Sequence, residues 1–350
     1  MDSATNSDPV LRAVFLLGPV IAASITVQTI IIVGMRLRLV FSRRRDYRFL
    51  TLWRPIMSHA IDGLPEMIPH LEKNDYYRFL KLWNHFNESL HIEATSGLKL
   101  LAEHCGINQV VNIFIRSRNL QRRLIAATAL GYLNQRQSVL QLVSLVDHRS
   151  TMLSLTAARS LLKIDCAVYF PKLLSRFVQR TDWPEARVNI ILNEQPAEMI
   201  VPNLIGFIQN ASEDQLPRLL QFLEPFSLSD AESAIKEILE TNQNPIVIAT
   251  CLRILPTPPL ARVRQLCRHP ESFVRVQAAK ALGKVAVYED HEILIELISD
   301  RNWWVRYRAA HALADLPFVS SEKIEALRNT LKDPFSVDML EQILAERRLN

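Results

Sequence analysis

The sequence predicts an all-α fold, in which an N-terminal transmembrane helix is followed by an α-solenoid of about seven two-helix repeats with a helical cap at each end. Two observations predict it: a motif that recurs about every 31 residues, and an uncharged apolar run over residues 13–35. Repeats of this length, each of which buries its apolar face only against its neighbours, are typical of solenoids. No stretch alternates convincingly between apolar and polar residues with period two, so we expect no strands.

The repeat is clearest near the C-terminus of the sequence. The segments SDRNWWVRYRAAHALADLP (299–317) and RHPESFVRVQAAKALGKVA (268–286) share the pattern V-R-x-x-A-A-x-A-L at an offset of 31 residues. Related patterns recur upstream, and the first position of each is Ala126, Ala157, Val188, Leu219, Ala249, Ala278 or Ala309. The steps between these positions, 31, 31, 31, 30, 29 and 31 residues, predict seven units.

Each unit is predicted to contain two short helices. The apolar residues around each small pair fall at helical spacing, and a turn with capping residues, such as 300–302, precedes them. A second amphipathic stretch, HEILIELIS at 291–299, lies ahead of that turn. The small side chains of Ala309 and Ala310 would allow neighbouring helices to approach closely.

These segments resemble HEAT repeats, specifically the short class associated with phycobilisome lyase-like proteins, over roughly residues 117 to 346. The resemblance implies that Asp300 caps the second helix of its unit. It also implies a row of stacked arginines three residues before each small pair. Arg123, Arg275 and Arg306 occupy that row, and Ser154, Glu185, Leu216 and Ile246 interrupt it. Such a resemblance implies a fold more firmly than a function.

The apolar run AVFLLGPVIAASITVQTIIIVGM is interpreted as an uncleaved membrane anchor. As a helix of 23 residues it would span roughly 34 Å, enough for a bilayer core. It is too long for a signal peptide, and its basic flank follows it rather than precedes it. Gly18, Ala22 and Thr26 recur every four residues, with Gln28 nearby. This stripe is either a packing face for another transmembrane helix, including a second copy, or a lipid-facing surface.

The excess positive charge is confined to the segment after the apolar run. The chain has 41 Lys+Arg and 36 Asp+Glu, and residues 36–54 alone hold seven arginines against one aspartate. By the positive-inside tendency, we expect a single-pass protein of the inner (cytoplasmic) membrane, with its N-terminus outside and its solenoid in the cytoplasm. The arginines expected to contact anionic lipid headgroups are Arg36, Arg38, Arg43, Arg44 and Arg45.

The predicted organisation is a short extracytoplasmic tail (1–12), the anchor (13–35), a basic juxtamembrane segment (36–45), an N-terminal helical cap (46–116), the repeats (117–332) and a C-terminal cap (333–350). The N-terminal cap contains a short internal repeat. The segments DYRFLTLW and DYYRFLKLW share Arg-Phe-Leu-x-Leu-Trp at an offset of 30 residues. Its aromatic residues are expected in the core. The first three, Tyr47, Phe49 and Trp53, have the membrane interface as an alternative.

The sequence predicts neither a metal site nor a cofactor. It contains no phosphate-binding glycine loop, no GxSxG and no HExxH. The strongest cluster, HFNESLHIE, offers His85, Glu88, His91 and Glu93, but lacks the second Glu-x-x-His that a di-iron site needs. A solvated helix face explains it better. The four cysteines, Cys105, Cys166, Cys251 and Cys267, form no CxxC pair and are expected to be buried reduced thiols.

The predicted function is that of a membrane-tethered, non-catalytic scaffold or adaptor for a membrane or membrane-associated protein. A resemblance to bacterial membrane-anchored HEAT-repeat proteins implies a membrane complex, such as an exopolysaccharide or glycosyltransferase system. The alternatives are a bilin lyase-like or metal-dependent hydroxylase-like enzyme, and a nucleic-acid-binding HEAT protein. A nucleic-acid interface would need a stripe such as Arg187, Arg218 and Arg308, but the repeats carry no net charge, so we expect no nucleic acid.

The candidate contact residues for a protein partner are Trp303, Trp304, Arg275, Arg306 and Arg308. We predict that Trp304 packs in the core between units. Trp303 is predicted to be partly exposed, as an aromatic anchor for the partner. The alternative is that both rings only seal the C-terminal units.

Overall fold

A computed structural model describes residues 9–89, 96–135, 138–226, 229 and 231–349, and it describes side chains between residues 22 and 346. Within these ranges the structure contains 19 α-helices and no strand, which confirms the predicted fold class. The chain divides into two compact units, residues 1–145 and residues 146–350.

The first unit is built from a long helix and a group of short ones. They are α1 (Pro9–His59), α2 (Tyr76–Ser89), α3 (Ser96–His104), α4 (Ile107–Ile115), α5 (Leu120–Leu133) and α6 (Val139–Val146), which ends at the unit boundary. Helix α1 runs for 51 residues without a break through the predicted anchor and basic segment. Among the described residues, its portion Ala22–His59 is long and apolar enough to cross a membrane.

The core of the first unit forms where the end of α1 packs on α2. Trp53 lies edge-on to Phe79, with ring centroids 5.0 Å apart, and stacks on Phe49. These three rings and Trp83 are buried, which confirms their predicted place in the core, whereas Tyr47 is exposed. The indole of Trp83 is satisfied because its Nε1–H donates to the backbone carbonyl of residue 98 at 2.8 Å.

The second unit is a stack of helical hairpins. Its helices are α7 (Thr151–Ile164), α8 (Cys166–Gln179), α9 (Glu185–Asn193), α10 (Ala197–Ile208), α11 (Leu216–Phe222), α12 (Glu232–Thr241), α13 (Pro245–Ile254), α14 (Leu260–Leu266), α15 (Ser272–Val285), α16 (His291–Ile298), α17 (Trp303–Asp315), α18 (Ser321–Thr330) and α19 (Pro334–Leu349). Consecutive odd-numbered helices from α9 to α17 contact one another, and each even-numbered helix from α10 to α16 contacts the odd one that follows. The odd helices therefore form one layer of the stack.

The small pairs of the sequence mark the buried face of the odd helices. We call the first residue of each pair the reference position of its unit. Six of the seven reference positions are fully or almost fully buried, namely Ala126, Ala157, Val188, Leu219, Ala278 and Ala309.

The predicted reference position of the remaining unit, Ala249 on α13, is wrong. Ala249 is only half-buried, while Cys251 and Leu252 are buried together with Val247, four residues earlier. This is the burial pattern of α15, where Ala278 and Ala279 are buried with Val274. The reference position on α13 is therefore Cys251.

A recurring hydrogen bond closes the turn before five of the odd helices. The side chain nine residues before the reference position accepts the backbone N–H two residues further on, at 2.8 to 3.1 Å; the accepting residues are Ser117, His148, Asn242, His269 and Asp300. The prediction that Asp300 caps α17 is wrong. The cap is Asn302, whose Oδ1 accepts the N–H of Trp304 at 2.9 Å, and Asp300 instead fixes the turn.

Candidate protein-interaction surface

Three large apolar side chains are exposed at the same position of three consecutive repeats. Ile246 on α13, Phe273 on α15 and Trp304 on α17 each lie five residues before the reference position of their unit. Their exposed fractions are 55%, 43% and 58%. Five residues correspond to about 500° of helical rotation, so these side chains point well away from the buried face. We call them the apolar row.

The prediction that Trp304 packs in the core is wrong, and both tryptophans of α17 are exposed. The buried side of α17 is occupied by Val305 and Ala309, and Trp304 is rotated about 100° from Val305. Trp303, whose exposed fraction is 43%, was predicted to be partly exposed, and this is confirmed. Its ring stacks on Tyr307 with centroids 5.2 Å apart and meets the Trp304 ring edge-on at 4.7 Å. The two indoles thus form one preorganised aromatic patch at the start of α17.

Two adjoining clefts run along the apolar row. The cleft between α13 and α15 has a volume of about 290 Å³ and is bordered by Ile246 and Phe273. The cleft between α15 and α17 has a volume of about 430 Å³ and is bordered by Phe273 and Trp304. Both clefts are lined by Phe273, Gln277 and Arg253. The two clefts therefore form a continuous groove across three odd helices.

The charged residues that line this groove are all basic. They are Arg253 on α13, Lys280 on α15 and Arg308 on α17, which we call the cationic flank. Arg253 and Lys280 are equivalent, since each lies two residues after its reference position. Arg253 lies 3.6 Å from a carboxylate oxygen of Glu224. The guanidinium of Arg308 lies over the Tyr307 ring at 5.8 Å.

Arg275 was predicted as a contact residue, but the structure gives it a structural role. Its side chain is buried, and its Nε and Nη2 donate to the Asp300 carboxylate at 2.7 and 2.9 Å. Its Nη1 donates to the backbone carbonyls of residues 269 and 270, both at 2.8 Å. Because its side chain is buried and four of its five N–H donors are engaged inside the protein, Arg275 is not placed to contact a partner.

Arg306 and Asp300 belong to the same inter-repeat connection. Arg306 donates from Nη1 to the Asp300 carbonyl at 2.8 Å and lies over the ring of Phe335 at 5.3 Å. Burial alone would raise the pKa of the Asp300 carboxyl, but the hydrogen bonds from Arg275 and from the N–H of Asn302 outweigh burial and lower it. Of the predicted arginine contacts, only Arg308 lies in the groove.

The stripe proposed for nucleic acid is interrupted at Arg218. This guanidinium is mostly buried, where burial lowers its pKa. It donates to the backbone carbonyls of residues 177, 180 and 183 at 2.8 to 2.9 Å. Arg218 therefore stabilises turns of the second unit rather than facing a phosphate backbone.

No group of three or more metal-binding side chains occurs among the described residues. Of the HFNESLHIE cluster, His91 and Glu93 lie outside the described residues. The four cysteines are free thiols, but only Cys251 and Cys267 are buried as predicted, whereas Cys105 and Cys166 are half-buried. Burial raises the pKa of Cys251 and Cys267 to about 12. They are too weakly acidic to supply a thiolate at neutral pH.

On α1, the described residues of the predicted packing stripe are exposed. Thr26 donates its hydroxyl to the carbonyl of Ala22 at 2.8 Å, and Gln28 is exposed nearby. Gly18 lies within α1 but outside the residues whose side chains are described.

The basic segment of α1 divides into two groups. Arg45 donates to Asp75 at 3.2 Å and to Glu72 at 3.3 Å, so it fixes α1 to the segment before α2. The other predicted headgroup ligands form no ion pair with a described residue; they are Arg36, Arg38, Arg43 and Arg44.

Comparison with known proteins bears on the repeats. A family model described as HEAT repeats matches residues 232–313 and 260–345, which include the whole apolar row and cationic flank. Residues 232–345 therefore contain HEAT repeats. It also shows similarity to the crystal structure of an engineered protein, at 16% sequence identity and a TM-score of 0.34, over 76% of this chain and 87% of the other. This likeness is too weak to carry an argument. No curated protein matches the chain in sequence.

Proposed function

We propose that this HEAT-repeat protein is a membrane-tethered, non-catalytic adaptor that holds a protein partner on the apolar row. The observation that carries the proposal is the exposure of Ile246, Phe273 and Trp304 at equivalent positions along a continuous groove. Contiguous exposed apolar surface is uncommon on soluble domains and marks interaction sites. Aromatic side chains in such a groove are the residues that dominate binding energy at protein interfaces.

The proposed tether is α1. Its apolar portion would cross the inner membrane once, with the N-terminus outside and the residues after this portion in the cytoplasm, because the arginines follow the apolar run. Arg36, Arg38, Arg43 and Arg44 would lie against anionic headgroups, each contributing about 1 kcal/mol near the surface. The tether would keep the protein at the membrane, which suits a membrane or membrane-associated partner. An exopolysaccharide or glycosyltransferase complex is one setting that this proposal accommodates.

The test compares the full chain with a chain of residues 46–350 by membrane fractionation and affinity purification. The cut spares Phe49 and Trp53, which the core of the first unit needs. We expect the full chain in the membrane fraction with a stoichiometric protein partner. After an alkaline wash that releases peripheral proteins from the membranes, the shortened chain should appear in the soluble fraction, and in the affinity purification it should still bind that partner. A shortened chain that stays in the membrane would refute the tether, and one that loses the partner would place the contact on α1.

A further inference from the structure

We infer that the partner presents an acidic amphipathic helix to the groove, with its apolar residues on the apolar row and its carboxylates on the cationic flank. This inference rests on the proposed function and specifies the chemistry of the partner. It follows from two independent features of the groove, namely the sign of its charge and the spacing of its apolar side chains.

The charged residues that line the groove all carry positive charge. The described residues that line its two clefts include Arg253, Lys280 and Arg308 and no acidic residue. Arg253 has the nearby carboxylate of Glu224, at 3.6 Å. Lys280 and Arg308 form no ion pair with any described residue. Complementary charge favours the correct partner and disfavours the wrong one, so this groove selects a segment that carries carboxylates.

The spacing of the apolar row fits a helix better than an extended strand. Neighbouring packed helices lie 8–10 Å apart, so the row presents one apolar side chain about every 9 Å. Residues i and i+7 of a helix lie about 10.5 Å apart on nearly the same face. On a strand, residues that share a face are about 6.6 or 13 Å apart, and neither distance matches the row. A helix lying across α13, α15 and α17 would therefore place an apolar residue against each member of the row.

The position of the cationic flank assigns the acidic residues to one side of that helix. On α15, Lys280 follows Phe273 by seven residues, which is about 10 Å along the helix axis. On α17, Arg308 follows Trp304 by four residues, or about 6 Å, so the flank runs along one side of the apolar row at about 6 to 10 Å. Aspartates or glutamates next to the apolar stripe of the bound helix, on one side only, would reach Lys280 and Arg308.

The test is site-specific photocrosslinking of the full chain in the membranes of the producing cells. A photoreactive phenylalanine derivative replaces Phe273 in one variant and Trp304 in a second. A control variant carries it at Gln265, an exposed residue of the even helix α14. The crosslinked segment is then sequenced by mass spectrometry.

The same experiment is repeated with Lys280→Glu and Arg308→Glu together. Lys280→Arg with Arg308→Lys is the matched control that keeps both charges. All four substitutions are on solvent-accessible side chains, and far-UV circular dichroism verifies that helicity is unchanged.

We expect Phe273 and Trp304 variants to crosslink one helix-forming segment that carries apolar residues about seven apart and an excess of carboxylates. Charge reversal should lower the crosslink yield by about tenfold, whereas the charge-conserving pair should retain it. A basic or neutral segment, a lipid or a second copy of this chain at these positions would overturn the inference. Of these, a basic or neutral segment of another protein would leave the adaptor function standing. No protein crosslink at either position, or the same crosslink from Gln265, would refute the apolar row as a partner-binding surface.

Discussion

The buried ion pair between Arg275 and Asp300 gives the sharpest prediction about stability. It joins the first turn of α15 to the turn before α17, and the two side chains have exposed fractions of only 8% and 11%. Arg275→Ala would leave the Asp300 carboxylate buried without its cation. Breaking a buried pair in this way costs about 3–5 kcal/mol, because an uncompensated charge stays in a poorly solvated site.

The assay is native-state hydrogen exchange of the full chain in detergent micelles, followed by mass spectrometry on peptides from α15 and α17. Exchange reports local opening, which suits a stack of repeats better than a single global transition does. If the free energy of local opening falls by about 3 kcal/mol, the amides of these helices should exchange roughly 150-fold faster. The matched control is Arg268→Ala, since Arg268 pairs with Glu296 at 3.0 Å but with both side chains well exposed.

Arg268→Ala should lower the free energy of local opening by at most about 1 kcal/mol, because exposed ion pairs contribute little to stability. This corresponds to about fivefold faster exchange. If Arg275→Ala accelerates exchange no more than Arg268→Ala does, the idea that Arg275 and Asp300 hold the two repeats together is wrong.

Three further predictions concern acid stability, helix packing and thiol reactivity. Because the pKa of Asp300 is lowered from its ordinary value of 3.8, its stabilising effect should be complete above about pH 5 and disappear as the pH falls further. Asp300→Asn should therefore flatten the acid limb of a plot of unfolding free energy against pH. Gly283→Ala should lower the melting temperature, because an added Cβ would lie 2.8 Å from the Cβ of Ala312. Overpacking of this kind costs about 1–3 kcal/mol of stability. An unchanged or higher melting temperature would contradict this close approach of α15 and α17. Cys251 and Cys267 should resist iodoacetamide at pH 8 until the protein unfolds, because their pKa of about 12 leaves about one thiolate in ten thousand; rapid labelling of the native chain, measured by mass spectrometry, would contradict their burial.

The fold was predictable because the physical requirement behind it is periodic. A solenoid must place small or apolar residues at the buried face of every unit, so the pattern survives in the sequence at Ala126, Ala157, Ala278 and Ala309. At α13 the sequence pattern predicts the wrong pair. Ala249-Thr250 resembles the small pairs of the other units, but the buried pair is Cys251-Leu252. The unit lengths change locally there, from 32 residues (251 − 219) to 27 (278 − 251), which a search for a constant step does not find.

The recurring turn was not predictable from residue identity. Its side-chain acceptor is Ser117, His148, Asn242, His269 or Asp300, so the units share the position of an acceptor atom and not a residue type. The place of Trp304 in the groove was also not predictable from residue type. Composition favours a buried place for tryptophan, and only the corrected register shows that Trp304 falls in line with two exposed residues of earlier repeats.

The central claim is that a protein partner binds along the apolar row, and the amount of partner that co-purifies with the full chain tests it most directly. The perturbing variant is Phe273→Ser with Trp304→Ser. The matched control is Met199→Ser, which removes a similarly exposed apolar side chain from the even helix α10. We predict that the double variant loses most of the partner while its helicity is unchanged, and that the control keeps it. Equal recovery of the partner with all three proteins would contradict the claim.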